Sequence, residues 1–214
     1  MKAHHLIAGA VLIVVLAVLL FVIPAPEKSP ESQVVSYEEE TATTTIDVTY
    51  KTFGISTIDT AFENVVDGYV RDFKAQAVTF GASPTNRPYV LAVEGQAYAT
   101  TATTAGIQFL VYKDFGGAHG LPQLLGVNID RESGEVVTLT ETLERISLSL
   151  DELAQAAQTH FAQELGDSLY MEGLAPEEEN FSSFLIASDA VTFYFQPYQI
   201  AAYALGAHEL SIGY

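Results

Sequence analysis

The sequence predicts an α+β fold with a mainly antiparallel sheet and two amphipathic helices, preceded by one transmembrane helix. Three observations carry this. Short runs alternate apolar with polar residues between turn signals, two stretches repeat apolar residues at steps of three and four, and one uncharged run near the start is long enough to cross a bilayer.

That run, Leu6 to Ile23, holds eighteen residues without a charge. With only Lys2 charged before it, the expected order is a cytoplasmic N-terminus at 1–5, a signal anchor at 6–23 and export of everything beyond. A cleaved signal peptide is the alternative. Its apolar stretch is usually shorter, and the nearest small-x-small site ends at Ala25 and would leave Pro26 directly after the cut. A retained anchor is therefore the expectation. Five residues are too few to hold a cytoplasmic partner, so signalling across the membrane is not expected.

Residues 24–45 are rich in Pro, Glu, Ser and Thr, include Glu38, Glu39 and Glu40, and are expected to be a disordered acidic linker. The exported α+β domain then spans 46–214. Ile46 to Ile55 alternates as a half-buried strand. Ile58, Phe62, Val66, Val70 and Phe73 mark a helix with Ser56 or Thr57 as its N-cap. After a turn at Ala82 to Arg87, Tyr89 to Thr100 and Thr104 to Phe115 read as paired antiparallel strands. A hairpin is expected from Leu124–Ile129 and Glu135–Leu139, turning at Gly134. Ser149 and Glu152 form a capping box for a second helix ending at Gly166. Three strand-like segments close the chain, giving eight or nine strands with no βαβ alternation and no internal repeat.

Composition removes several function classes. The net charge is −18, or about −19 for the part beyond Pro26 once Lys2 is set aside, which makes nucleic acid a poor partner and a cationic protein a suitable one. Acidity also serves plain solubility. With no cysteine, neither a disulfide framework nor a lipid-modified cysteine is available.

Candidate chemistry is sparse. Phe115-Gly-Gly-Ala-His-Gly120 lacks the Gly-Lys-Ser/Thr ending and the following helix of a phosphate loop. It reads as a connection between strands with His119 in a local hydrogen bond, or as a ligand-contacting loop. His119, His160 and His208 have no short spacing suited to zinc. Asn128-x-Asp130-x-Glu132 starts like a calcium loop, but Gly134 comes one place late and Leu139 stands where the final Glu belongs. No Gly-x-Ser-x-Gly elbow is present. No catalytic residue, metal or cofactor is therefore expected. The tail from Phe193 to Tyr198, with Tyr203 and Tyr214, fills a core or forms a carbohydrate or peptide platform, with Tyr194, Tyr198 and Tyr203 as the accessible set.

Tyr112-Lys-Asp-Phe-Gly-Gly-Ala-His-Gly120, followed by Asn128-Ile-Asp130 and Ser133 to Leu139, together with Phe193 to Gly206 and Glu209 to Tyr214, resembles the extracytoplasmic domain of RsiV-type anti-sigma factors and PdaC-type peptidoglycan deacetylases. The likeness covers about 46–214. It implies an exported α+β domain linked to the cell wall, and in the anti-sigma factor the corresponding region binds lysozyme, a cationic protein. The resemblance implies that the deacetylase activity belongs to a further domain, which is not expected in this sequence. Tyr112, Gly116, Gly117, His119, Gly120, Tyr194, Tyr198 and Tyr203 are the ligand-binding candidates, and the expected function is non-catalytic recognition of a cell-wall fragment or a lysozyme-like protein. A wall hydrolase or deacetylase, or its accessory subunit, is the alternative.

Overall fold

The computed structural model describes residues 32–83 and 87–214. The expected anchor at 6–23, the start of the linker and the middle of the turn after the first helix lie outside them. No helix among the described residues is long and apolar enough to cross a membrane.

The fold opens with β1 (Val34–Glu40) and β2 (Thr44–Lys51), paired antiparallel from Val34 opposite Lys51 to Glu40 opposite Thr45. This corrects the linker expectation. The stretch containing the three glutamates has too little apolar surface to fold alone, but a backbone ladder needs none. Val35 and Tyr37 pack inward, while Ser36, Glu38 and Glu40 face solvent along the sheet edge, where charge discourages pairing with another chain.

Helix α1 (Ser56–Phe80) follows, burying Ile58, Phe62, Val66, Val70, Phe73 and Ala77 along one stripe. Neither Ser56 nor Thr57 is its N-cap. Ile55 takes that place without a side-chain bond, and Asp59, one turn in, accepts instead from the Phe53 N–H at 2.7 Å. The chain then returns as β3 (Tyr89–Thr100), which pairs parallel with β2. A parallel neighbour needs a crossover, so β2–α1–β3 is a βαβ unit where none was expected. β4 (Thr104–Asp114) and β5 (Leu121–Asp130) complete the sheet in the order β1-β2-β3-β4-β5. Ile46, Val48, Tyr50, Leu91, Val93, Ile107 and Phe109 meet the helix stripe in one core.

The expected hairpin partner of β5 shrinks to a single bridge between Ile129 and Val136. Thr138 and Glu141 form a capping box that starts α2 (Leu139–Ile146), a helix the strand-like run Glu135–Leu139 concealed. α3 (Leu150–Leu165) begins at the expected Ser149–Glu152 box. With short 3₁₀ turns, these helices cover a separate antiparallel sheet of β6 (Phe184–Ile186), β7 (Ala190–Phe195) and β8 (His208–Gly213). Leu153, Phe161, Phe181, Phe193, Phe195 and Ile200 form its core.

Side chains join the two sheets. β5 is the last strand of its sheet, and its outer edge would leave backbone groups unpaired. Gln196 supplies both partners to Leu124, accepting from its N–H at 2.8 Å and donating to its carbonyl at 2.7 Å. The Ser183 hydroxyl accepts from the Gly126 N–H at 2.9 Å and donates to the Leu124 carbonyl at 2.7 Å. Asn128, only 1% exposed, donates to the Phe184 carbonyl at 2.7 Å and accepts from the Ile186 N–H at 2.9 Å. Gly126 is required here, because a Cβ would overlap the Phe184 backbone.

Two outcomes follow. Asn128→Leu leaves the Phe184 carbonyl and Ile186 N–H unpaired, and a urea melt should show a loss of about 2–5 kcal/mol. Burial, then Glu63, Asp67 and Asp59, pushes the Tyr50 phenol up to about 12 from the ordinary 10.0. Burial, then Glu209, does the same to Tyr194. The folded state therefore favours both neutral phenols. Their contribution is fully present below pH 10 and lost as pH rises towards 12. Tyr50→Phe should flatten that alkaline loss in a denaturation series against pH.

Candidate functional site

The loop from β4 to β5 is fixed at both ends. Phe115 turns inward against Phe73, Phe80 and Tyr89, with ring centroids 5.1, 5.0 and 5.5 Å away. Gly116 then takes φ 75°, and its N–H donates to the Asp114 carboxylate at 2.7 Å. At the far end Gly120 is buried beneath the Tyr112 ring, which a Cβ at that position would overlap. Between these anchors Gly117, Ala118 and His119 are exposed.

The tail meets this loop. Gln196, clamped to Leu124, leads through Pro197 to Tyr198, which adopts φ 73° in the left-handed region that side chains other than glycine rarely enter. Tyr203 sits in a single 3₁₀ turn shortly after. His119 stacks on Tyr203 at 4.1 Å and 28°, and Tyr203 lies 5.3 Å from Tyr198. His119 Nδ1 donates to the Gly120 carbonyl at 3.0 Å, and the Tyr203 hydroxyl donates to the same oxygen at 3.1 Å. That leaves Nε2 of the neutral ring as an acceptor for the Tyr198 hydroxyl at 3.3 Å.

Beside the stack runs a groove of about 360 Å³, lined by Leu110, Pro122, Leu124, Pro197, Tyr203 and Ala207 among others. Its wall is largely apolar, and Tyr203 is common to groove and stack. A ring platform next to an apolar trough offers a ligand stacking, burial and hydroxyl hydrogen bonds. Among the described residues no three His, Asp or Glu come together as a metal-holding group.

Of the eight candidates, Tyr112, His119, Gly120, Tyr198 and Tyr203 come together, with Gly116 shaping the approach. Gly117 lies at the loop tip, where a Cβ would make only ordinary contact with the His119 carbonyl. Tyr194 is a correction. It is 6% exposed, because the face of β7 opposite Phe193 and Phe195 is covered as well. The groove residues went unmarked in the sequence. Gln196-Pro197 just before an exposed tyrosine was their one available signal, since proline restricts its neighbours and glutamine can imitate a strand partner.

Residues 139–214, from α2 to the C-terminus, match the family described as "Protein of unknown function (DUF3298)". This segment includes Tyr198 and Tyr203 but stops short of the His119 loop. The chain is also 28% identical over 169 residues to the peptidoglycan-N-acetylmuramic acid deacetylase PdaC of Bacillus subtilis (strain 168), an alignment covering 77% of this chain and 36% of PdaC. The chain thus spans about a third of that relative's length. The expected likeness to the PdaC-type domain holds. Among solved structures, a DUF3298 family protein from Pseudomonas aeruginosa PAO1 matches with a TM-score of 0.59 at 19% identity, covering 87% of this chain and 92% of that one. A DUF3298 member from Bacteroides fragilis NCTC 9343 matches with a TM-score of 0.52 at 18% identity, covering 86% and 90%. These two share the fold.

Tyr198 combines a left-handed backbone with an exposed ring. Tyr198→Gly relieves a conformational penalty of about 1–2 kcal/mol and removes a half-exposed ring. A thermal melt should therefore show stability unchanged or raised, even though the platform has lost its outer tyrosine.

Proposed function

We propose that this chain is a membrane-anchored, extracytoplasmic recognition domain that binds a fragment of the cell wall, without chemistry, on the His119–Tyr198–Tyr203 platform and its groove. The observation that carries the reading is the convergence of a β4–β5 loop and a C-terminal tail on one exposed ring stack with an apolar trough beside it. Sugar rings present an apolar face and peripheral hydroxyls, which suit a tyrosine's ring and its polar tip. The wall is favoured as the source because the homologous protein PdaC is named for action on peptidoglycan. The uncharged run at 6–23 supplies the anchor.

One observation favours a second reading, a cationic wall-directed protein such as a lysozyme. The net charge of −18 attracts such a partner and speeds encounter. Salt separates the two readings, since screening weakens attraction between exposed charges far more than ring stacking.

The test titrates the full-length protein in detergent micelles with soluble peptidoglycan fragments and, separately, with lysozyme, each at low and high salt. Fragment binding that persists at high salt and weakens about five- to tenfold in Tyr203→Ala supports the platform. Lysozyme binding alone, abolished by salt, moves the function to the second reading. Binding of neither ligand contradicts both. Turnover of wall polymer that is lost in His119→Ala would replace recognition with catalysis.

A further inference from the structure

A second cleft, sharing no residue with the platform, opens between the β1–β2 hairpin and the first half of α1, with a volume of about 240 Å³. Its lining combines Val35 and Tyr37 of β1, Tyr50 of β2, and Asp59, Glu63, Val66 and Asp67 of α1. Asp59, Glu63 and Asp67 are spaced one helical turn apart on a single face, an arrangement in which like charges repel. Asp59 is engaged by the Phe53 N–H, but Glu63 and Asp67 make no hydrogen bond or ion pair among the described residues. Among the described residues no lysine or arginine lines the cleft.

Tyr50 supplies the independent observation. Its ring is 4% exposed and packs edge-on against Phe109, 5.7 Å away. Its hydroxyl has no hydrogen-bond partner among the described residues, although Tyr50 lines the cleft. Among the described residues the enclosed side-chain atoms without a partner are Gln108 Nε2 and His208 Nε2, so the Tyr50 oxygen still reaches solvent at the cleft while its ring is buried. The neighbouring Tyr37 hydroxyl likewise has no partner among the described residues. Glu63 and Asp67 raise the Tyr50 pKa further after burial has done so, so this phenol stays neutral and its oxygen remains an acceptor.

We propose that this cleft binds a primary ammonium group carried on an alkyl stem, with the ammonium between Glu63, Asp67 and the Tyr50 oxygen and the stem against Val35 and Val66. An ammonium has three donors, which matches two free carboxylates and one unpartnered phenol oxygen. The apolar side chains suit a methylene stem. Charge spread along a helix face also fits a group that bonds through several N–H donors better than a compact metal ion, for which the described carboxylates are not clustered. Such an amine is either the side chain of a polypeptide lysine or a free aliphatic diamine.

The experiment is calorimetric titration of the full-length protein in detergent micelles at low salt, with cadaverine and with Nα-acetyl-lysine amide as probes and pentanol as the neutral control. Binding of either amine, at least about tenfold weaker in Glu63→Gln/Asp67→Asn and several-fold weaker in Tyr50→Phe, is the expected result. Glu63 and Asp67 are exposed, so the double variant keeps the fold, and Tyr50→Phe preserves the buried ring. Stronger binding of cadaverine assigns the site to free diamines, and stronger binding of the lysine amide assigns it to polypeptides. Tyr198→Ala should leave amine binding unchanged, which keeps this result separate from the fate of the platform. No amine binding, equal binding by pentanol, or an affinity unaffected by Glu63→Gln/Asp67→Asn would overturn the proposal.

Discussion

The structure depends on how the outer edge of β5 is satisfied. A strand at the end of a sheet carries N–H and C=O groups that must find partners when they are covered. Here a second sheet with its own core lies against that edge, yet no β-ladder continues between the two. Asn128, Ser183 and Gln196 provide the hydrogen bonds that an adjacent strand would have provided. Each is bonded at both its donor and its acceptor function, so the junction is buried without orphaned groups at these positions. Close approach of Gly126 to the Phe184 backbone makes the fit specific.

The same junction builds the platform. Gln196 is both a clamp on Leu124 and the second residue before Tyr198, so fixing one places the other over the β4–β5 loop. His119 is then held from two directions, by the carbonyl of the next residue and by the Tyr198 hydroxyl. The Gly120 carbonyl accepts from both His119 and Tyr203, which ties the loop and tail to one atom. Two segments distant in sequence are thereby held together by backbone-like hydrogen bonds, while the His119 and Tyr198 rings are left exposed. The acidic cleft beside α1 arises differently. β1 lays Tyr37 and Val35 next to a helix face whose Glu63 and Asp67 lack counter-charges among the described residues.

Much of this was legible in the sequence because periodicity reports burial directly. Ile58, Phe62, Val66, Val70 and Phe73 foretold α1, and the alternation in β3 and β4 set their limits almost to the residue. Elsewhere, tertiary partners overrode composition. Val34–Glu40 looks unfoldable alone and is ordered by pairing with β2. Val136 and Val137 look like a strand, although a capping box that begins at the next residue, Thr138, turns the chain into α2. The parallel pairing of β2 with β3 leaves no local mark, since both strands alternate as antiparallel ones do. His119, Tyr198 and Tyr203 were visible as unusual residues, but their meeting depends on Gln196 reaching Leu124 across 72 positions of chain. Tyr194 shows the converse limit, since alternation identifies its face without revealing what covers that face.

Native-state hydrogen exchange at the Leu124, Gly126 and Ile186 amides tests the edge directly. These N–H groups donate only to side chains, and an open edge would let them exchange within a local fluctuation. The account predicts protection close to that of the β3–β4 ladder, lost for all three together. Rapid exchange at these amides while β3 and β4 remain protected would contradict it, and would leave the placement of Tyr198 over His119 without its support.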